Sequence, residues 1–386
     1  MKIGVMTFWW SEDNYGQLLQ CYALQKYLRD LGHDTYLIRY DPRGDYIKSS
    51  FLEKVFKALN PVTLFKYLSF KKRVMIDAKE KRGNPRYFEK FRDQNIRQSE
   101  KIYYSYNELA QDPPDADMYI VGSDQVWNMF GVLTNRAINM INAYFLNFGD
   151  SITKKISYAA SFGKEKSELD EVFVKIFAPL LKKFDYVSVR EKSGLEICRQ
   201  CGIDKAEWVP DPTLLLDADE YRALYVGERL SPKPEKQYVL LYLIGNEFSF
   251  SIQSIYDWAQ HRKLEVVYIT GNSQQDSFKK TYATVLEWIY LLENAEYVVT
   301  NSFHCTVFSL IFGKKFGVIP LSGRDKGMNS RFDSIFRQFW IDERFLNLGF
   351  PILDEGIDWQ HVSKVLQDIK SCSRLEEIIR GDEECL

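Results

Sequence analysis

The segment from Thr300 to Thr306 holds the side chain best suited to proton transfer. In it, His304 lies between a predicted strand, 297–300, and a predicted helix, 307–312. An imidazole changes its protonation state near neutral pH, and the amides at a helix N-terminus bind anions. The segment therefore indicates proton transfer beside a phosphate, and a purely structural histidine is the alternative.

Arg190 is the second candidate, because it ends a predicted strand that spans 186–190. A charged residue at the carboxyl end of a parallel strand points toward the ligand cleft. There its guanidinium can hold a carboxylate or a phosphate through two parallel hydrogen bonds. The alternative is an ion pair with Glu191 or Asp211.

Two polar turns follow predicted strands near the start of the chain. The first contains Asn14 and Gly16, which can receive a ligand oxygen or simply cap the helix that follows. The second, 121–128, places Trp127 among carboxylate and amide side chains. Such a tryptophan suits stacking on a sugar ring, and a buried Trp127 behind a helix cap is the alternative. Neither turn has the glycine pattern of a dinucleotide site or a P-loop.

Short apolar runs alternate with amphipathic helical patterns along most of the chain, which is typical of parallel sheets covered on both faces. We predict strands at 2–8, 34–40, 118–121, 155–160, 186–190, 238–244, 265–270, 297–300 and 316–319. Predicted helices span 17–31, 168–183, 192–201, 250–262, 285–294, 307–312 and 361–379.

These elements predict two doubly wound, Rossmann-like α/β domains. The predicted N-terminal domain spans 1–226, and the predicted C-terminal domain spans 227–360. A helix and an acidic tail follow at 361–386. Domains that face one another place a ligand cleft at the carboxyl ends of their strands.

The charge of the chain is small overall and uneven along its length. The 386 residues carry a net charge of −2, so no overall field draws them to nucleic acid. A predicted helical insertion at 43–105 is basic, with 16 lysine and arginine residues against 7 acidic residues between Arg43 and Lys101. Within it, residues 51–73 predict basic amphipathic helices. These helices either pack on the domain with a solvated lysine face or make peripheral contact with anionic lipid or a lipid-linked phosphorylated acceptor.

Neither a targeting segment nor an apolar run of membrane-spanning length is visible, so we expect a cytoplasmic protein that can work at the inner face of the membrane. The six cysteines fit a reducing compartment. Cys198 and Cys201 have no second ligand pair nearby, so we expect two packed thiols and no metal site.

Seven motifs stand in a fixed order along nearly the whole chain. They are Asn14–Gln25, Val121–Asn128, Ser157–Gly163, Ser188–Glu191, Asp211–Thr213, Thr300–His304 and Asn329–Arg331. Together they resemble the polysaccharide pyruvyl transferase family. The resemblance implies a GT-B-like fold and the transfer of the enolpyruvyl unit of phosphoenolpyruvate to sugar hydroxyls, which forms a pyruvate ketal.

The resemblance also implies roles for the candidate residues. His304 and Arg190 become the catalytic pair, with His304 as general acid and base. We expect donor contacts from Asn301, Ser302, Thr306, Asn329, Ser330 and Arg331, and acceptor contacts from Asn14, Gly16, Ser123, Asp124, Trp127 and Ser161. Cys305 stands where the family usually has glycine, so we expect it either to narrow or to retune the anion site.

The partners implied are phosphoenolpyruvate as donor and a glycan or its lipid-linked precursor as acceptor, without a metal or a further cofactor. Two other functions fit the same fold. One is a GT-B glycosyltransferase that uses a nucleotide sugar, and the other is a non-catalytic glycan-binding protein. Protection of the protein by phosphoenolpyruvate but not by UDP- or GDP-sugars would favour the pyruvyl transferase over the glycosyltransferase. A cellular polysaccharide that His304→Ala leaves unchanged would favour the non-catalytic protein.

Overall fold

The computed structural model describes most of the chain. The described residues are 1–10, 13–42, 75, 79, 82–128, 133–163, 170–231, 233–245, 248, 250–270, 276–371 and 374–380. The segment predicted to contact a membrane, 51–73, and the acidic tail after residue 380 lie outside them.

A parallel sheet organises the N-terminal half of the described chain. Its strands are β1 (Lys2–Met6), β2 (Asp34–Tyr40), β3 (Gln98–Tyr103), β4 (Met118–Val121) and β5 (Lys154–Ser157). They are arranged in the order β3-β2-β1-β4-β5, and every neighbouring pair is parallel. The chain order reverses between β1 and β4, which opens a ligand crevice at the carboxyl ends of these two strands.

Two short strands extend this half toward the site. They are β6 (Ser188–Val189) and β7 (Glu207–Trp208), which pair with each other in parallel. Isolated parallel bridges, Ile156 with Tyr186 and Ala160 with Val189, join β6 to the edge of the first sheet. Arg190 therefore follows a strand that runs in the same direction as β5.

A second parallel sheet organises the C-terminal half. Its strands are β8 (Tyr238–Leu243), β9 (Glu265–Thr270), β10 (Tyr297–Thr300) and β11 (Lys315–Val318), in the order β11-β10-β8-β9. Here the chain order reverses between β8 and β10. All residues of β8 are buried, as in a strand that is covered on both faces.

Helices connect and cover the strands of both sheets. The described helices are α1 (Tyr15–Asp30), α2 (Phe88–Asn95), α3 (Tyr106–Gln111), α4 (Asn135–Tyr144), α5 (Glu171–Leu181), α6 (Lys192–Gln200), α7 (Ala218–Arg222), α8 (Ile252–His261), α9 (Val285–Glu293), α10 (Phe303–Ile311), α11 (Ser330–Gln338), α12 (Trp359–Ser371) and α13 (Arg374–Arg380). None of the helices in this described part has the length and apolar character needed to cross a bilayer.

The two halves are packed together at α1 and again at the C-terminus. Tyr15 at the start of α1 stacks on Trp288 of α9 at 5.2 Å, and its hydroxyl donates to the Ala283 carbonyl over 2.6 Å. Leu375 and Ile378 of α13 are buried in an apolar cluster that the N-terminal sheet provides. The site between the sheets is thus held by contacts from both ends of the chain.

The strand orders confirm the doubly wound α/β prediction, and two such units facing each other are the arrangement implied by the GT-B-like resemblance. The bounds of β2, β4, β9 and β10 are those predicted. The strand β3 was missed because five of its six residues are at least partly exposed at a sheet edge, so its apolar signal is weak. The sheets lie on either side of the proposed domain boundary at 226, which itself stays a prediction.

Two helix predictions are corrected. Helix α10 begins at Phe303, four residues before the predicted start, because Ser302 caps it by accepting from the Cys305 amide. His304 therefore stands in the first turn of the helix and not in a loop before it. The predicted closing helix at 361–379 begins two residues earlier, at Trp359, and its described parts are α12 and α13.

Candidate active site

Polar residues that follow different strands meet between the two sheets. Gly16 follows β1, Ser123 follows β4, Arg190 follows β6, Asp211 follows β7 and His304 follows β10. They converge because parallel strands present their carboxyl ends at one edge of a sheet. The three side chains with ionisable groups in this cluster are buried, with 3% of Arg190, 1% of Asp211 and 5% of His304 exposed.

A guanidinium, a carboxylate and an imidazole are in direct contact. Arg190 Nη1 donates to Asp211 Oδ2 over 2.9 Å and lies 3.3 Å from His304 Nε2. The same carboxylate oxygen is 3.4 Å from His304 Nε2. Nε2 therefore has a partner in both protonation states, because it can accept from Arg190 without a proton and donate to Asp211 with one. The structure brings His304 and Arg190 together, and it also forms the Arg190–Asp211 ion pair that was the alternative interpretation.

Asp211 is the centre of this cluster. Its Oδ2 accepts a further hydrogen bond from Ser123 Oγ over 3.0 Å, and its Oδ1 accepts from the amide and the hydroxyl of Thr213. Burial alone would raise the pKa of Asp211, but His304 and Arg190 outweigh it and hold that pKa well below its usual range. Asp211 is therefore ionised at neutral pH and can orient the imidazole.

Gly16 lies directly against the ring of His304. A Cβ atom at residue 16 would overlap Nδ1, Cγ and Cβ of the imidazole. Only glycine gives the ring this close approach to α1. The acceptor contact predicted for Gly16 stays a prediction, and the structure shows instead that Gly16 leaves room for the ring of His304.

A buried network of hydrogen bonds holds Ser123 in place. The Ser123 amide donates to Gln20 Oε1 over 2.9 Å, and Gln20 Nε2 donates to Thr7 Oγ1 over 3.1 Å. All three residues have 0% of their surface exposed. The network connects the ends of β1 and β4 to Asp211 through the Ser123 hydroxyl.

Arg190 keeps hydrogen-bonding capacity for a ligand. Its Nε and Nη2 are buried and have no hydrogen-bond partner among the described residues. Asp124 Oδ1 is 3.8 Å from Nη2, and Asp124 Oδ2 is also buried and unpartnered within the described chain. The Phe303 ring lies 4.5 Å from the Arg190 guanidinium and 5.9 Å from that of Arg331. Two cations therefore share one aromatic neighbour beside the imidazole.

The sequence profile of the polysaccharide pyruvyl transferase family matches residues 14–323, a range that includes Arg190, Asp211 and His304. The chain belongs to this family. No sequence among curated proteins matches it significantly.

Several solved structures are similar to this polysaccharide pyruvyl transferase family member over most of its length. A UDP-GlcNAc 2-epimerase from Methanocaldococcus jannaschii, in complex with UDP-GlcNAc and UDP, is 12% identical with a TM-score of 0.49, over 98% of this chain and 99% of the other. A UDP-N-acetylglucosamine 2-epimerase from Rickettsia bellii is 13% identical with a TM-score of 0.47, over 99% and 98%. A Streptomyces glycosyltransferase complexed with thymidine diphosphate is 11% identical with a TM-score of 0.43, over 96% of each chain.

Two of the predicted donor residues brace the backbone in this family member. Asn301 accepts from the Ile244 amide and donates to the Ile244 carbonyl, both over 2.8 Å. Asn329 makes the same pair of hydrogen bonds to Leu321, both over 2.9 Å. Each amide thereby uses one of its two N–H groups and one lone pair of its oxygen, and the other N–H and lone pair are left over. Direct donor contacts from these two side chains stay a prediction.

The other donor predictions are partly corrected. The Thr306 amide and hydroxyl both donate to the Ser302 carbonyl, so this amide does not form the expected anion site. The first-turn amides of Phe303 and His304 have no intrahelical acceptor, as helix geometry requires. The Ser302 hydroxyl caps α10, and the Ser330 hydroxyl donates to the Gly327 carbonyl. Of the six predicted donor residues, Arg331 keeps a cation near the site.

The prediction that Trp127 stacks on a sugar is wrong. Its side chain is 0% exposed, stacks on Phe145 at 5.0 Å and donates from Nε1 to the Tyr144 carbonyl. Ser161 is equally buried, and its hydroxyl donates to Glu191 Oε1 over 3.0 Å. Both residues are held inside the N-terminal core, where an acceptor does not reach them.

The remaining acceptor candidates stay near the site. Asn14 caps α1 by accepting from the Gln17 amide over 3.3 Å. Ser123 supports Asp211, as described above, and Asp124 presents its carboxylate toward Arg190. An acceptor contact from Asp124 stays a prediction.

Cys305 does not narrow the anion site. Its side chain is fully buried in the apolar cluster beneath α10, and burial raises the pKa of its thiol to about 12. Cys198 and Cys201 are buried thiols too, as expected. Within the described residues, no group of three or more histidine, cysteine, aspartate and glutamate side chains could hold a metal ion.

Asp211 and Phe303 belong to the cluster but were not among the site residues predicted from the sequence. Asp211 entered only as an alternative partner for Arg190 and as part of a motif. Its signal was an aspartate followed by Pro212 at the start of a tight turn, which predicts a cap. The sequence contained no sign that this cap would also meet a histidine 93 positions later.

Proposed function

We propose that this chain transfers the enolpyruvyl unit of phosphoenolpyruvate to hydroxyl groups of a saccharide and forms a pyruvate ketal. Membership of the family supports the transferase class and the saccharide acceptor. The donor and the roles of individual residues rest on one observation, the 3.3 Å contact between Arg190 Nη1 and His304 Nε2 in a buried cluster. One side chain binds acids and the other moves protons, and the two come from different halves of the chain.

Arg190 is the proposed donor-binding cation. Phosphoenolpyruvate carries a carboxylate and a phosphate, and the unpartnered Nε and Nη2 of Arg190 form the fork that such anions take. Arg331 adds positive charge nearby, and the first-turn amides of Phe303 and His304 add neutral donors. In a buried site these donors stabilise the phosphate as it departs.

His304 is the proposed general acid and base. The protonated imidazole gives its proton to the methylene carbon of the donor, which becomes a methyl group. A sugar hydroxyl attacks the adjacent carbon, and its proton returns to the imidazole. The bond from that carbon to the phosphate oxygen then breaks, and a second hydroxyl of the sugar closes the ketal. Its proton leaves with the phosphate, so the products are a ketal and inorganic phosphate.

Asp211 acts as a positioning residue in this scheme. Its Oδ2 lies 3.4 Å from Nε2, and its negative charge stabilises the imidazolium cation that forms. Ser123 and Thr213 hold the carboxylate in one orientation. The imidazole is therefore held in one place while its charge changes.

The test is phosphate release from phosphoenolpyruvate in the presence of a panel of saccharides, with the ketal detected by mass spectrometry. His304→Ala is expected to lower the rate by about 10²–10⁴, the usual contribution of general acid–base catalysis. His261→Ala is the matched control, because His261 lies on the exposed surface of α8. Arg190→Lys is expected to raise the KM for phosphoenolpyruvate, because lysine cannot bind with two parallel hydrogen bonds.

Two outcomes would overturn the proposal. One is His304→Ala with the wild-type rate. The other is protection of the protein by UDP- or GDP-sugars and their consumption, with no effect of phosphoenolpyruvate, which would indicate a glycosyltransferase. We expect the reaction to take place in the cytoplasm on a polymeric or lipid-linked saccharide.

A further inference from the structure

A tryptophan stands exposed at the carboxyl end of the central strand β1. Trp10 has 41% of its surface exposed, and it follows Met6, the last residue of β1, by four positions. Trp127 and Trp288, by contrast, have 0% exposed and are core residues. Trp10 therefore presents an open aromatic face at the edge of a parallel sheet where such folds bind ligands.

The indole of Trp10 is supported by a row of aromatic rings. The Phe8 ring lies 5.7 Å from that of Trp10, and it packs edge-on against Tyr144 at 5.1 Å. Tyr144 is fully buried and contacts Tyr40 of β2 at 5.7 Å. The row runs from the surface into the core, so the exposed ring is held in place before any ligand arrives.

The residue between the two rings contributes to the same support. The Arg92 guanidinium of α2 lies 5.6 Å from the Trp9 ring. Trp9 also packs against the large apolar cluster that contains Tyr15 and Trp288. Phe8 and Trp9 thus both tie this segment to the core.

The exposed indole is close to the catalytic cluster along the chain. Thr7 is three residues before Trp10, and its hydroxyl accepts from Gln20, which also binds the Ser123 amide. Ser123 in turn donates to Asp211. Three residues of extended chain span about 10 Å at most, a length comparable with one or two sugar rings.

We propose that Trp10 is the stacking platform for a sugar ring of the saccharide acceptor, next to the unit that receives the pyruvate. The flat indole face suits the C–H face of a pyranose, and its rigid support lowers the entropy cost of binding. The family acts on polysaccharides, so a chain of sugars must extend beyond the reacting unit. The inference rests on the proposed function for the identity of the neighbouring reaction, but saccharide binding can be measured without it.

The experiment follows the indole N–H signals of the tryptophans by NMR during titration with saccharides, in the absence of phosphoenolpyruvate. The probes are methyl glycosides of glucose, galactose, mannose and N-acetylmannosamine and their disaccharides. The Trp10 signal is assigned by its absence from the spectrum of Trp10→Phe. Its chemical shift is expected to change on addition of saccharide, and the chemical shift of the Trp340 signal is expected to remain constant. Trp340 is the matched control, since it is 82% exposed and stacks on His361 in the C-terminal half.

Kinetics on the full chain give the second readout. Trp10→Ala is expected to raise the KM for an acceptor disaccharide about tenfold with kcat little changed, while Trp10→Phe keeps most of the affinity. Trp340→Ala is expected to match the wild type in both parameters. A melting temperature for each variant separates loss of binding from loss of folding.

The outcomes separate this inference from the proposed function. A saccharide-dependent shift of Trp10 that persists in His304→Ala supports the platform even if phosphoenolpyruvate is not the donor. The inference is overturned if no saccharide of the panel shifts the Trp10 signal, or if Trp10→Ala binds and turns over acceptor like the wild type. It is also overturned if anionic phospholipid vesicles shift the signal and saccharides do not, because Trp10 would then be a membrane contact.

Discussion

At the scale of single residues, the site depends on side chains that touch across the two halves. His304 and Arg190 were predictable because each is a chemically capable residue at the end of a strand. Gly16 was predictable as a site residue by position, but its contact with His304 was not, because the two lie 288 positions apart. The close approach makes Gly16 a sensitive probe of the site.

Gly16→Ala is expected to reduce turnover by at least about tenfold and the free energy of unfolding by about 1–3 kcal/mol. The new methyl group would overlap the imidazole, so His304 must move away from Arg190 and Asp211. Steady-state kinetics and urea unfolding measure the two effects. Gly83→Ala is the control, because the space around Gly83 is open. Wild-type turnover in Gly16→Ala would contradict the described geometry.

Asp211→Asn is expected to lower the free energy of unfolding at pH 7 by about 3 kcal/mol, because it leaves the buried Arg190 without its closest counter-charge. The pKa of Asp211 is lower in the folded chain than in the unfolded chain. Its contribution is therefore fully present above the ordinary aspartate pKa of about 3.9 and is lost as the pH falls toward the depressed folded value. The difference between variant and wild type should shrink below about pH 4.

Urea unfolding of both proteins at several pH values checks this prediction. Asp217→Asn is the control, since the Asp217 carboxylate pairs with Lys370 at the surface with 52% of its side chain exposed. The control should change the free energy of unfolding by no more than about 1 kcal/mol. A pH-independent difference for Asp211→Asn would show that the charge of Asp211 does not stabilise the fold.

At the scale of elements, the site is positioned by the ends of strands and the first turn of one helix. The Asn301 side chain ties the end of β10 to Ile244 after β8, at the point where the chain order of the second sheet reverses. Helix α10 begins two residues later and carries His304. Asn301 therefore anchors the segment that leads from β10 into the first turn of α10.

Asn301→Asp is expected to reduce the free energy of unfolding by about 2 kcal/mol, because a carboxylate cannot donate to the Ile244 carbonyl. Turnover should fall as well, since the start of α10 loses its anchor to β8. Denaturation and steady-state kinetics measure both. Asn294→Asp is the matched control, because the Asn294 amide donates to the Tyr290 carbonyl at an exposed position. Equal effects of the two substitutions would argue against an anchoring role.

At the scale of the whole molecule, the C-terminus returns to the sheet where the chain began. Leu375 is 0% exposed, and with Ile378 it packs in the cluster that contains Ile3 and Leu28. Helix α13 therefore belongs physically to the N-terminal sheet although it follows the C-terminal sheet in sequence. This return holds the two halves around the site.

Leu375→Ala is expected to cost about 2–5 kcal/mol of the free energy of unfolding, the usual range for a buried leucine. Because the leucine packs on the N-terminal sheet, the loss should appear in the unfolding of that half. Denaturation followed by circular dichroism measures it. Val226→Ala is the control, since Val226 is 71% exposed. Its truncation should change the free energy of unfolding by less than about 0.5 kcal/mol. Identical midpoints for the two variants would place α13 away from the sheet.

The amino-acid sequence by itself determined the features that depend on neighbours along the chain. The alternation of apolar runs and helical patterns predicted the α/β class and the bounds of β2, β4, β9 and β10. Strand ends and helix starts marked His304 and Arg190. The family resemblance, carried by seven ordered motifs, was confirmed by the match over residues 14–323.

The tertiary structure alone decided which polar and aromatic side chains face the site. Trp127 is enclosed by Phe145 and Phe162, and Trp10 is left open, although both follow parallel strands of one sheet. Asp211 became the centre of the cluster because β7 ends opposite the first turn of α10. Burial and ion pairing are set by residues far apart in sequence, so no local pattern could have assigned these roles.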